Sequence, residues 1–145
     1  MGDPSLEFAR FCGSLMDRFR TSGNALHSLS AYEQETVALY LLNSDYGANG
    51  LIAYFDWHGR TLLEPTLRGL ARIGADRLAV LVREYADLLA QQGFLFGEQN
   101  VSAFLESLPA AAQEQFDLRQ AEAADLYADF YDLCEKCFTS GVWRH

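Results

Sequence analysis

The sequence predicts an all-α, single-domain compact bundle of about six helices. Three observations carry that expectation. Apolar residues recur at spacings of three and four through most of the 145 residues, which is the period of a helix with one buried face. Helix punctuation stands where those runs begin and end: a capping-box pattern from Ser30 to Glu33, and Gly74 and Gly93 where a left-handed residue closes a helix. One short run, residues 51–57, has a strand-like aromatic composition, but no second run with period-two alternation exists to pair with it, and a lone strand leaves its ladder unsatisfied.

The elements follow in order. Residues 4–20 place Phe8, Phe11, Cys12, Leu15 and Phe19 on one face, with Asp3 and Pro4 as cap and first turn and Ser22-Gly23 as the stop. A second helix starts after Ser30, whose hydroxyl accepts from an early backbone N–H while Glu33 reaches back, with Leu29 as a staple. Val37, Tyr40 and Leu41 continue its buried face as far as Asn43, Ser44, Asp45 and Gly47, a cluster of turn formers. Residues 51–57 form a short helix of their own after Asn49-Gly50, which supplies a tight or left-handed backbone. Residues 62–73 and 75–92 then form an antiparallel pair. Residues 94–108 are less regular, with a helical turn at 101–105, and a final helix runs from about residue 120 to 138. No internal repeat, low-complexity tract or linker divides the chain, so residues 1–145 read as one domain, with an acidic C-terminal region at about 98–137.

Composition narrows the function. Half the residues are hydrophobic and 13% are aromatic, enough apolar surface to offset the entropy of ordering a core. A formal charge of −9 argues against direct binding to nucleic-acid phosphates. It leaves two readings, general solubility or attraction to a basic partner. The distribution distinguishes them: before Ala75 eight acids face six bases, whereas from Ala75 onward twelve acids face five bases. No secretory signal and no membrane-spanning run is expected, and three cysteines without a dense framework fit a reducing compartment, so the expected location is the cytoplasm.

The concentrated acids have a pattern. On a helix, Glu122, Asp125, Asp129, Asp132 and Glu135 share one side, opposite Leu126, Phe130, Leu133, Cys134 and Cys137. Five carboxylates then cover roughly 20 Å of axis at about 1.5 Å per residue, comparable to one strand of B-DNA with a phosphate per about 3.4 Å. A second row of acids is expected beside it from Glu98, Glu106, Glu114 and Asp117 in the preceding segment. Lysines that normally alternate with glutamates on a solvated helix face are missing, and like charges at such spacing cost stability. A solvated face remains the alternative.

The middle of the chain resembles a known family. Leu29, Ser30, Tyr32 and Glu33, then Asn49, Gly50 and Leu51 with Tyr54, Phe55 and Gly59, then Leu70, Ile73, Gly74 and Ala75 are similar in order and spacing to the bacterial DNA mimic protein family, of the DNA mimic protein 19 type. The resemblance covers residues 29–92, and more faintly the last helix. The chain departs from it at Asn49, Ala53 and Trp57, where the family has glycine, glutamine and asparagine. The resemblance implies an all-helical fold and an acidic surface that imitates duplex DNA and sequesters a basic DNA-binding protein such as a transcriptional regulator. The alternative partner is a basic nuclease toxin, which would make the chain an immunity-type inhibitor. A homodimer that extends the acidic surface is compatible with either.

Other constellations point away from chemistry. Cys134 and Cys137 form a C-x-x-C, but on the apolar side of a helix rather than at a strand-to-helix turn, and Cys12, His27, His58 and His145 offer no companion zinc spacing. Buried thiols are expected, with a thiol- or metal-dependent enzyme as the third alternative. His58 lies two residues from Asp56, which a helix directs elsewhere; a surface or capping role is expected, with Asp45 as the other partner considered. No nucleophile elbow, phosphate loop or H-E-x-x-H pattern is present. No catalytic residue, cofactor or metal is therefore assigned. Tyr54, Phe55 and Trp57 read as core, with a partner anchor as the other possibility.

Overall fold

The computed structural model describes residues 4–23 and 25–139. It contains α1 (Pro4–Thr21), a 3-10 turn (Leu26–Ser28), α2 (Ala31–His58), α3 (Leu63–Arg72), α4 (Asp76–Gln91), α5 (Val101–Glu106) and α6 (Ala110–Thr139), with no strand among the described residues. The all-α expectation is met. Asp3, expected to cap α1, and the side chain of Phe8 lie outside the described residues. No helix among the described residues is long and apolar enough to cross a membrane.

The punctuation works as the sequence implies. Ser30 Oγ accepts from the Glu33 N–H at 3.1 Å, and Glu33 Oε1 accepts from the Ser30 N–H at 3.1 Å, closing a capping box on α2. Helices α3 and α4 end alike. The Ala75 N–H donates to the Leu70 carbonyl and the Gly74 N–H to that of Ala71; the Phe94 N–H donates to Leu89 and the Gly93 N–H to Ala90. These are paired Schellman bonds around left-handed glycines with φ of 84° and 88°.

Two expectations are corrected. The turn formers at 43–47 do not separate two helices: α2 runs through them for 28 residues, and residues 51–57 are its second half rather than a helix of their own. Its axis nevertheless bends sharply at Gly50, which has φ +60°. The hydrogen bond from His58 to Asp45, at 2.7 Å, requires that bend, because 13 residues of straight helix would put those residues roughly 20 Å apart. Two of the polar residues that suggest a turn have partners beyond their own helical turn instead. Asn43 accepts from the Tyr127 hydroxyl through both its backbone and side-chain oxygens, at 3.1 and 2.7 Å, and Asp45 holds His58.

The second correction concerns α6, which begins at Ala110, ten residues earlier than expected. Residues 110–115 lack an apolar period, which hides this part of the helix in the sequence. Alanines at 110–112 favour helix intrinsically, and the Pro109 carbonyl accepts from the Gln113 N–H at 3.0 Å to start the ladder. Phe116, 1% exposed, then anchors the new segment.

The core joins α2, α4 and α6. Phe55 stacks on Tyr85 with centroids 5.7 Å apart, and Tyr85 meets Phe116 edge-on at 5.1 Å, favourable geometries beyond their burial. Tyr54 is buried and its hydroxyl bonds Thr66 at 2.6 Å, tying α2 to α3. At the bend, the Leu51 N–H donates to Gln120 Oε1 of α6 at 3.2 Å, replacing the intrahelical acceptor that the left-handed residue displaces. Gln120 comes so close that a Cβ on Gly50 would lie 2.8 Å from its Nε2.

Gly50→Ala should therefore cost about 2 kcal/mol or more, from left-handed strain and from displacing Gln120. Gln120→Ala should cost about 1–3 kcal/mol by leaving the Leu51 N–H without its acceptor. In a double-mutant cycle read by denaturant unfolding, Gly50→Ala should cost less in the Gln120→Ala background, since the crowding is gone; strict additivity would contradict the clasp. Ser30→Ala should cost about 1 kcal/mol through loss of the cap.

Candidate acidic interface

Helix α6 turns Phe116, Ala123, Phe130 and Cys134 inward, all buried. At about 100° per residue, Glu114, Asp125, Asp129 and Asp132 lie within roughly 60° of one another on the far side, and all four are exposed. Asp117, also exposed, borders them. None of these five makes an ion pair among the described residues.

The structure redistributes the expected rows. Glu114 and Asp117 are on α6 itself, collinear with the first row rather than beside it. Glu106 closes α5, and Glu98 lies in the turn before α5; both are exposed. Glu122 leaves the row. At the edge of the face nearest α4, it forms a bidentate pair with Arg77, whose Nη2 donates to Oε1 at 2.8 Å and whose Nε donates to Oε2. The Arg77 hydrogen bonds hold the Glu122 carboxyl below its ordinary range. The side chain of Glu135 lies outside the described residues.

The unpaired row therefore runs from Glu114 to Asp132, roughly 27 Å of axis, with about one carboxylate per 6–7 Å. That is about half the phosphate density of a single DNA strand, sparser than the sequence suggests. A neighbour adds width. Exposed Asp76 at the start of α4 lines the same small crevice, about 150 Å³, as Asp129. The sequence hides this contribution because Asp76 and Asp129 are far apart along the chain, and only the packing of α4 on α6, marked by the Arg77–Glu122 pair, brings them together. Leu118, 58% exposed, interrupts the acids as an apolar point on the same face.

The arginines explain why the row stays negative. Arg119 is about 140° around α6 from Glu114 and reaches Glu84 of α4 at 3.2 Å. Arg83 faces Glu64 at 3.7 Å, Arg72 and Arg68 converge on buried Glu35, and Arg18 meets Glu33. These cations link helix to helix. The carboxylates from Glu114 to Asp132 on the outer face of α6 make no such pair among the described residues, and Lys136, a cation on that side of the helix, stands in its last turn beyond the end of the row.

The remaining sequence constellations are placed as follows. Cys12 is buried, and burial pushes its thiol up to about 12, which disfavours the reactive thiolate. Cys134 is also buried, whereas the side chain of Cys137 and all of His145 lie outside the described residues. Tyr54 and Phe55 are core, but Trp57 is 76% exposed. His58 is oriented by Asp45 rather than by Asp56, which instead accepts from the Val101 N–H at 2.6 Å, satisfying the first N–H of α5 beside its N-cap Asn100.

No curated protein and no solved structure matches the chain. The sequence model of one family, described as DMP19-like protein, matches residues 27–138. That span takes in the capping box of α2, the Gly50 bend, the Schellman turns and nearly all of α6. The chain belongs to the DMP19-like protein family.

Proposed function

We propose that this protein is a DNA mimic that sequesters a basic DNA-binding protein, such as a transcriptional regulator, by occupying its DNA-binding surface. The observation that carries this reading is the segregation of charge: six of the described arginines pair with carboxylates between helices, while the outer face of α6 keeps unpaired carboxylates from Glu114 to Asp132. Family membership supports the same reading. The protein acts by binding, without catalysis.

The physical basis is competitive occupation. A groove of lysines and arginines suited to phosphates meets carboxylates fixed on a rigid helix, so little order has to be imposed beyond the carboxylate side chains themselves. Because the row has about half the phosphate density, it satisfies alternate cation sites along a DNA-binding surface rather than each one. Leu118 supplies an apolar contact amid the charges. Partner choice then rests on shape, since carboxylates do not reproduce the donor and acceptor pattern of base edges.

Pull-down from lysate at low salt should recover basic DNA-binding proteins. High salt should release them, and duplex DNA should displace the protein from them. Neutral partners, or failure of DNA to compete, would overturn the reading. Asp125→Asn, Asp129→Asn and Asp132→Asn together should weaken such a complex at least about tenfold, at roughly 0.5 kcal/mol per exposed charge, and flatten its salt dependence. Glu122→Gln should change affinity little, because Arg77 already holds that carboxylate. Equal effects from the triple variant and from Glu122→Gln, measured by calorimetry on the recovered partner, would contradict the assigned row.

A further inference from the structure

A second surface of the molecule, built without any residue of α6, has different chemistry. A cavity of about 540 Å³ opens between α1 and the end of α2, within the roughly 300–1,000 Å³ range of small-molecule sites. Met16, Phe19 and Leu62 form its apolar floor and are 3%, 8% and 2% exposed. Its rim carries Arg20, Trp57 and His58.

Each rim residue is unusual for a protein of this charge. The Arg20 side chain is exposed and makes no hydrogen bond or ion pair among the described residues, while most other described arginines are engaged with carboxylates. Trp57 leaves a large indole 76% exposed beside an apolar floor. His58 is half-buried, and its Nε2 lies 2.7 Å from Asp45 Oδ2. A carboxylate only accepts, so Nε2 carries a proton, and the other ring nitrogen, Nδ1, has no hydrogen-bond partner among the described residues.

We infer that this cavity binds a small aromatic carboxylate, with its ring between Trp57 and the Met16, Phe19 and Leu62 floor, and its anionic group against Arg20. The class follows from the parts. A flat apolar body suits an indole face and a floor that includes Phe19. A carboxylate suits a planar guanidinium fork. His58 stays bonded to Asp45 and closes one side of the cavity beside Trp57. The bend at Gly50 makes the site, because it brings His58 back to Asp45 within one helix.

The test uses the full chain labelled with 15N, and 2-naphthoate as probe, with neutral 2-naphthamide as its isosteric control. The indole N–H resonance of Trp57 is assigned by loss in Trp57→Phe. A saturable shift with 2-naphthoate is expected, with affinity at least about tenfold better than for 2-naphthamide, the size of one charge-assisted hydrogen-bonded contact. Arg20→Ala, at an exposed position that leaves the core intact, should remove that preference while 2-naphthamide binding stays as it was. Absence of a saturable shift overturns the site. Equal affinities for the two probes, or an unchanged preference in Arg20→Ala, overturn the anionic class of ligand.

Discussion

The clasp between Gly50 and Gln120 is the constraint on which the rest of the structure depends. A left-handed residue inside a helix leaves the next N–H without its usual acceptor, and a buried N–H left unsatisfied is costly. Here the acceptor comes from α6, on a residue 69 positions further along the chain. The bend and the docking of α6 are therefore one event. Residues other than glycine at position 50 would face both an unfavourable φ and the side chain of Gln120. Tyr127 repeats the arrangement nearby by donating to Asn43, so two polar contacts from α6 hold the region of α2 around its bend.

Once α6 is docked, the placement of charge follows. The side of α6 that meets α2 and α4 is set by Phe116, Gln120, Ala123, Tyr127 and Phe130, and the acids face away from that seam. Arginines at the seam complete it from either side, with Arg77 reaching out from α4 and Arg119 reaching out from α6. Exposed pairs of this kind contribute little stability individually. Their larger effect is on the field: each withdraws a cation from the outer surface, so a moderate net charge becomes a concentrated one. The negative face is thus a by-product of how the interhelical pairs are distributed as much as of the number of acids.

The same bend has a second consequence on α2. Folding the end of α2 back toward Asp45 buries Tyr54 and Phe55 but turns Trp57 outward. Neighbouring positions on one short helical stretch therefore end in opposite environments, core on one side and a cavity rim on the other. The acidic face and the α1–α2 cavity share no residue, yet both derive their geometry from position 50.

By itself the sequence determined the all-α class, the start of α2, the ends of α3 and α4, and the presence of an acid-rich final helix. Those features are local: a capping box, a Schellman glycine and a three-four apolar spacing act within a few residues of chain. Tertiary structure decided what local signals could not. Asn43 and Asp45 resemble turn formers until Tyr127 and His58 supply partners, after which they remain helical. Glu122 resembles its neighbours along the acid row until Arg77, 45 residues away, removes it from the unpaired set. The start of α6 is illegible because alanine and glutamine carry helix propensity but no apolar period, and that start moves Glu114 and Asp117 into line with Asp125, Asp129 and Asp132. Spacing along a chain fixes which side of a helix a charge occupies; whether the charge stays unpaired depends on which other helix packs beside it.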